Sequence, residues 1–159
     1  MSPLLLAALV AVPGPGCAAH RVGLLVHPRG DPASAIIRAQ DGTETVLVVQ
    51  GDAAPVAFLD GCIVELDGAL AFHRLHVRDW RVVDAGDGSG NFVGNLRAYG
   101  ARLVLDDRNS GGAVFLDDLT AAPLRPWVGY PVLVIGHVTG AGYVVPVAFR
   151  VLADVPAAP

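Results

Sequence analysis

The stretch Phe72-His73-Arg74-Leu75-His76-Val77-Arg78-Asp79-Trp80 gathers more chemistry-bearing side chains than its length would suggest. Read as a strand, its alternation turns Leu75 and Val77 to one face and Arg74, His76 and Arg78 to the other. Two guanidinium groups and an imidazole on one surface would attract a carboxylate, a phosphate or a sulfated glycan, with Trp80 stacking beside them. The plainer reading is a solvated strand face followed by a core tryptophan. Arg74, His76, Arg78 and Trp80 are therefore the candidate ligand-binding residues.

Other chemistries find less support. His73 and His76 face opposite sides of a strand and cannot chelate together, and the two cysteines, Cys17 and Cys62, lack metal-ligand spacing. Asp84-x-x-Asp87-Gly88-x-Gly90-Asn91 resembles a calcium loop, but Asn95 stands where the bidentate glutamate belongs. Ser89 lacks the glycine two positions earlier that a nucleophile elbow requires. No phosphate-binding loop or dinucleotide fingerprint is present. The expectation is a protein that is not an enzyme and has neither a metal nor a cofactor.

Composition narrows the fold. The chain is 53% hydrophobic and 16% charged, enough apolar surface for a core. All eleven basic residues are arginine, and glutamate occurs only at Glu44 and Glu65. Good surface helix formers are thus scarce, while Val, Gly and Asp favour strands and tight turns. A net charge of −4 argues against a nucleic-acid partner held by phosphate neutralisation.

Residues 4–12 read LLLAALVAV, a run suited to the apolar segment of a secretory signal. Pro13-Gly14-Pro15-Gly16-Cys17 follows and would break any helix. This segment resembles a bacterial lipoprotein signal, which implies that Cys17 becomes the lipidated first residue of an exported chain. Two features depart from that pattern. Gly14 stands where an aliphatic residue is usual, and no Arg or Lys precedes the apolar run. Cleavage after Ala19 is the competing reading, giving a secreted chain. The resemblance implies an envelope location, periplasmic or surface, with the membrane as partner through Cys17 and an envelope protein or glycan as a further one. Cys62 then has no internal partner and reads as a buried, inert thiol.

The remainder is duplicated. Residues 61–68 (GCIVELDG) align without gaps on residues 129–136 (GYPVLVIG), both glycines recurring at an offset of 68. Trp80-Arg81-Val82-Val83 matches Phe149-Arg150-Val151-Leu152 at an offset of 69. Arg21-Val22-Gly23-Leu24-Leu25 matches Phe92-Val93-Gly94-Asn95-Leu96, and the turn at Asp41-Gly42 mirrors Asn109-Ser110-Gly111-Gly112. Four matches in one order indicate a tandem repeat. The division is a leader at 1–19, units at 20–84 and 91–154, a linker at 85–90 and a tail at 155–159. Strands are expected at 22–26, 35–39, 45–50, 63–66 and 75–83, then at 93–98, 102–106, 113–116, 132–138 and 143–152. The longer links, 52–60 and 117–128, each have room for one helical turn. Trp80 lies three residues from Val77, whereas its counterpart Phe149 lies four from Val145. A bulge at Arg78-Asp79, peculiar to the first unit, would be needed to turn Trp80 inward.

Five strands with a longer link between the third and fourth resemble the oligonucleotide/oligosaccharide-binding (OB) barrel. The expected fold is all-β: two tandem five-stranded OB-like, or SH3-like, barrels. Units of this size bury a modest share of their surface, so they should pack together. The function this implies is a non-catalytic, envelope-associated lipoprotein acting as a binding or scaffolding module. The alternative is a glycan- or oligonucleotide-binding OB protein that uses the basic strand face.

Overall fold

A computed structural model describes residues 16–86, 88 and 90–155. The apolar run 4–12, Gly14, Asp87, Ser89 and the last four residues of the tail lie outside the described residues. The first unit consists of β1 (Cys17–Val26), β2 (Ile36–Arg38), β3 (Glu44–Val48), β4 (Ile63–Ala71) and β5 (Arg74–Asp84). These close into a barrel in the order β1-β2-β3-β5-β4. Neighbours are antiparallel except β3 and β5, which run parallel with Leu47 opposite Leu75. The second unit consists of β6 (Gly90–Tyr99), β7 (Arg102–Asp107), β8 (Gly112–Phe115), β9 (Pro131–Val138) and β10 (Val144–Val151). It forms a sheet in the order β10-β9-β6-β7-β8, and one parallel bridge, Leu116 to Val144, joins its two outer edges. The expected all-β architecture of two five-stranded units is present.

Several backbone contacts recur at equivalent positions of the two units. Leu25 N–H donates to the Cys62 carbonyl at 2.9 Å, and Leu96 N–H donates to the Tyr130 carbonyl at 3.0 Å. Gly61 N–H returns to Leu25 at 2.9 Å, as Gly129 N–H returns to Leu96 at 2.8 Å. Gly68 and Gly136 are held glycine by one cause: a Cβ on either would collide with a facing carbonyl, that of His76 or of Val145. Links between the third and fourth strands of each unit carry short 3-10 segments, Gly51–Phe58 and Ala122–Trp127. Pro55 and Pro126 inside them remove the amide hydrogens that a longer helix would need.

Strand bounds match the alternation of the sequence within a few residues, with two exceptions. β1 begins at Cys17, five residues before the expected strand, and Cys17, Ala18 and Ala19 pair with Leu70, Ala69 and Gly68. β4 continues past Gly68 to Ala71 and turns into β5 through only two residues, Phe72 and His73. The bulge needed for Trp80 exists: Gly68 faces Val77 and Asp67 faces Asp79, leaving Arg78 as the extra residue. It does not distinguish the first unit, however. Gly136 faces Pro146 and Ile135 faces Ala148, so Val147 is extra at the equivalent place.

The units differ in what their outer faces meet. Val93 and Leu133 are cross-strand partners in the second unit, and both are fully buried in the core cluster that contains Trp80, Val82 and Leu59. Their counterparts in the first unit are the cross-strand partners Val22, exposed, and Glu65. The second unit's own core is separate, built on Leu96, Leu105, Leu116, Leu124, Val132 and Val134. β9 therefore buries both faces, Val132 and Val134 inward and Leu133 against the first unit. That double burial is what joins the two units.

Candidate functional site

The junction between the units is crossed by a set of side-chain hydrogen bonds. Arg108, in the turn between β7 and β8, donates from Nε to the Trp80 carbonyl at 2.8 Å and pairs with Asp79. Its guanidinium lies over the Trp80 ring, 4.8 Å from the centroid. Next to it, Asn109 acts as a surrogate strand edge. Its Nδ2 donates to the Val82 carbonyl at 3.0 Å and its Oδ1 accepts from Val82 N–H at 3.2 Å. Asp107 shapes this turn: one carboxylate oxygen accepts from Val93 N–H at 3.0 Å and the other from Ser110 N–H at 2.9 Å. On the opposite side Arg150 donates to the carbonyls of Phe58 and Asp60 at 3.3 and 2.8 Å. Beside Arg108 lies a cleft of about 400 Å³ lined by Asp52, Pro55 and Trp80 from one unit and Asn95, Asp106 and Pro131 from the other. Its lining mixes polar and apolar groups, and the cation that lines it, Arg108, is already stacked and paired.

The four residues proposed as a ligand face are not all brought together. Arg74, His76 and Arg78 are exposed along β5. Trp80 turns the other way: it is 6% exposed, belongs to the core, and donates from Nε1 to the Asp52 carbonyl at 3.2 Å. The cause is the extra residue at Arg78, which shifts the inward side of the strand by one position. What remains on the outer face is a basic edge without an aromatic platform.

A cluster that sequence reasoning missed lies on the first unit's outer face. His20 Nδ1 is 2.9 Å from Asp67 Oδ1, and His20 Nε2 is 3.7 Å from Glu65 Oε1. One ligand atom from each of the three residues falls within 4.8 Å of the others, a spacing open to a divalent cation. A cation would have to displace the His20–Asp67 hydrogen bond and compete with Arg81, which pairs with Glu65. His20 is far in sequence from Glu65 and Asp67, which share β4, and meets them only because it is the cross-strand partner of Asp67. Asp84, from the resemblance to a calcium loop, spends Oδ1 on the amides of Gly86 and Gly88 at 2.7 and 3.3 Å.

The two cysteines differ in environment. Cys17 is exposed at the first position of β1, whereas Cys62 is fully buried and burial pushes its thiol up. At the far end of β4 the tip residues Phe72 and His73 both have positive φ, +49° and +61°. Two-residue hairpin turns of that shape favour Asn-Gly, because a Cβ is unwelcome at both positions. Phe72 is nevertheless there, and 83% exposed.

Comparison of the chain with protein-family models, with curated proteins and with solved structures found no match.

Proposed function

We propose that the chain is a non-catalytic binding or scaffolding protein of the cell envelope, held to a membrane through lipid on Cys17. The observation that carries this reading is the start of β1. Cleavage before Cys17 leaves the strand whole, with its exposed thiol at the first paired position. Cleavage after Ala19 would remove three residues of β1 and their pairing to Leu70, Ala69 and Gly68. The strand thus favours the lipoprotein site over the competing one. A scaffolding role draws support from Arg108, Asn109 and Arg150, whose polar groups are spent on joining the units.

The finer fold assignment, two OB-like units in tandem, rests on three features: the order β1-β2-β3-β5-β4, the parallel contact of third and fifth strands, and the 3-10 segment between third and fourth. Metabolic labelling with a fatty-acid analogue tests the anchor. Label is expected on the native chain and absent from Cys17→Ala; label retained by that variant overturns the proposal.

A second reading follows from the exposure of Arg74, His76 and Arg78 on one strand: recognition of an anionic glycan or oligonucleotide along β5. A glycan and oligonucleotide array probed with the full chain tests it. Binding lost in the double variant Arg74→Ala, Arg78→Ala supports this reading, and silence or unchanged binding removes it.

A further inference from the structure

We infer that the β4–β5 hairpin tip, Phe72 and His73 with Arg74, is a membrane-contact element that orients the barrel against the bilayer. The inference rests on the proposed anchor at Cys17 and adds to it a second point of contact. Cys17 is the cross-strand partner of Leu70, and Phe72 follows two residues later. With strands about 4.8 Å apart and about 3.3 Å of rise per residue, the tip lies roughly 8 Å from the anchor. β1 and β4 are antiparallel, so the start of β1 and the end of β4 lie side by side. A lipid on Cys17 and the Phe72 ring therefore emerge from the same end of the barrel.

No linker separates Cys17 from the first strand pair, so an acylated Cys17 brings this end to the lipid surface. What the end presents suits a bilayer interface. Phe72 is an exposed aromatic, the small residues Ala18 and Ala71 flank the strand ends, and Arg74 stands directly opposite Ala71 where it can reach a phosphate. Folding alone does not account for the Phe72-His73 pair, since their positive φ angles are ones that Asn-Gly would adopt with less strain. Phe72, at 83%, is far more exposed than the first unit's other large exposed hydrophobic side chains, Val22, Val46, Ile63 and Val83, at 36–48%.

The test attaches the full chain by its Cys17 thiol to a maleimide lipid in phosphatidylcholine vesicles, with and without phosphatidylglycerol, carrying bromine near the headgroup end of the acyl chains. Chemical attachment separates this question from whether cells acylate Cys17, which the fatty-acid labelling above decides. Phe72→Trp is compared with the native chain, whose Trp80 and Trp127 supply a fixed background, and Cys17→Ser with the same vesicles reports any binding by residues 1–16. The added emission of Phe72→Trp is expected to lose at least half its intensity when attached, more so with phosphatidylglycerol. Emission from attached Phe72→Trp that stays unquenched overturns the inference, as does quenching of equal depth in the Cys17→Ser, Phe72→Trp chain. Should Phe72→Trp disturb the turn, protection of the amides at 71–74 from hydrogen exchange on attachment of the native chain reads the same contact. Unchanged exchange there counts against it.

Discussion

Asp107 shows how a single buried side chain organises a junction. It is 4% exposed, and its two oxygens hold the amides of Val93 and Ser110. Asp107→Ala leaves both amides unpaired and should cost about 2–3 kcal/mol, read as a lower urea midpoint. Asp117 works at the surface. Its carboxylate accepts from the amide and the hydroxyl of Thr120, the amide first in importance, and these bonds hold it below the usual carboxylate range. A depressed folded value means that the stabilisation is present above the ordinary carboxylate range and is lost as pH falls through the folded value. Asp41, held down by the Thr43 amide, acts in the same direction. Replacing both, Asp41→Asn with Asp117→Asn, should flatten the acid limb of stability below pH ~4, followed by thermal melts across that range. The thiols give a sharper contrast. A maleimide reagent should label Cys17 alone in the folded chain, and Cys62 only after unfolding. Peptide mapping by mass counts the labels.

At the scale of elements, strands were legible where one face is wet and the other dry. β5 is the clearest case, with Leu75, Val77, Trp80 and Val82 buried and the residues between them exposed. Even the bulge was legible there, because Trp80 falls out of phase with Val77. Its recurrence at Val147 was not, since Tyr143 to Val151 is apolar almost throughout and a one-residue slip leaves no trace. The start of β1 was hidden for a related reason: Cys17-Ala18-Ala19-His20 has no alternation and follows breakers that read as the end of a signal. The two-residue turn at Phe72-His73 lacks the Asn-Gly signature that announces such hairpins. The double variant Phe72→Asn, His73→Gly should relieve both positive-φ positions. We expect thermal unfolding to rise by an amount corresponding to about 1 kcal/mol, and a drop would show that the turn is not strained.

Across the whole molecule, two similar units are made into one body by a difference at equivalent positions. Where the first unit carries Val22 and Glu65, the second carries Val93 and Leu133 and buries them. No periodicity could announce this, because Leu133 sits in a run of apolar residues that looks the same whether one face or both are covered. The equivalent face of the first unit is polar instead, with His20, Glu65, Asp67 and Arg81. Leu133→Glu, which copies the first unit's residue, should cost about 3–5 kcal/mol and separate the unfolding of the two units into distinct transitions by calorimetry. Of the ligand face read from sequence, Arg74, His76 and Arg78 stay on the surface while Trp80 joins the core. What the fold adds to the proposed leader is the place of Cys17 at the first paired position of β1. The mass of the mature N-terminal peptide from the producing cells tests that claim most directly. A peptide beginning at Cys17 with the added mass of a diacylglyceryl group is the predicted result; one beginning at His20, or an intact N-terminus that includes residues 1–16, would contradict it.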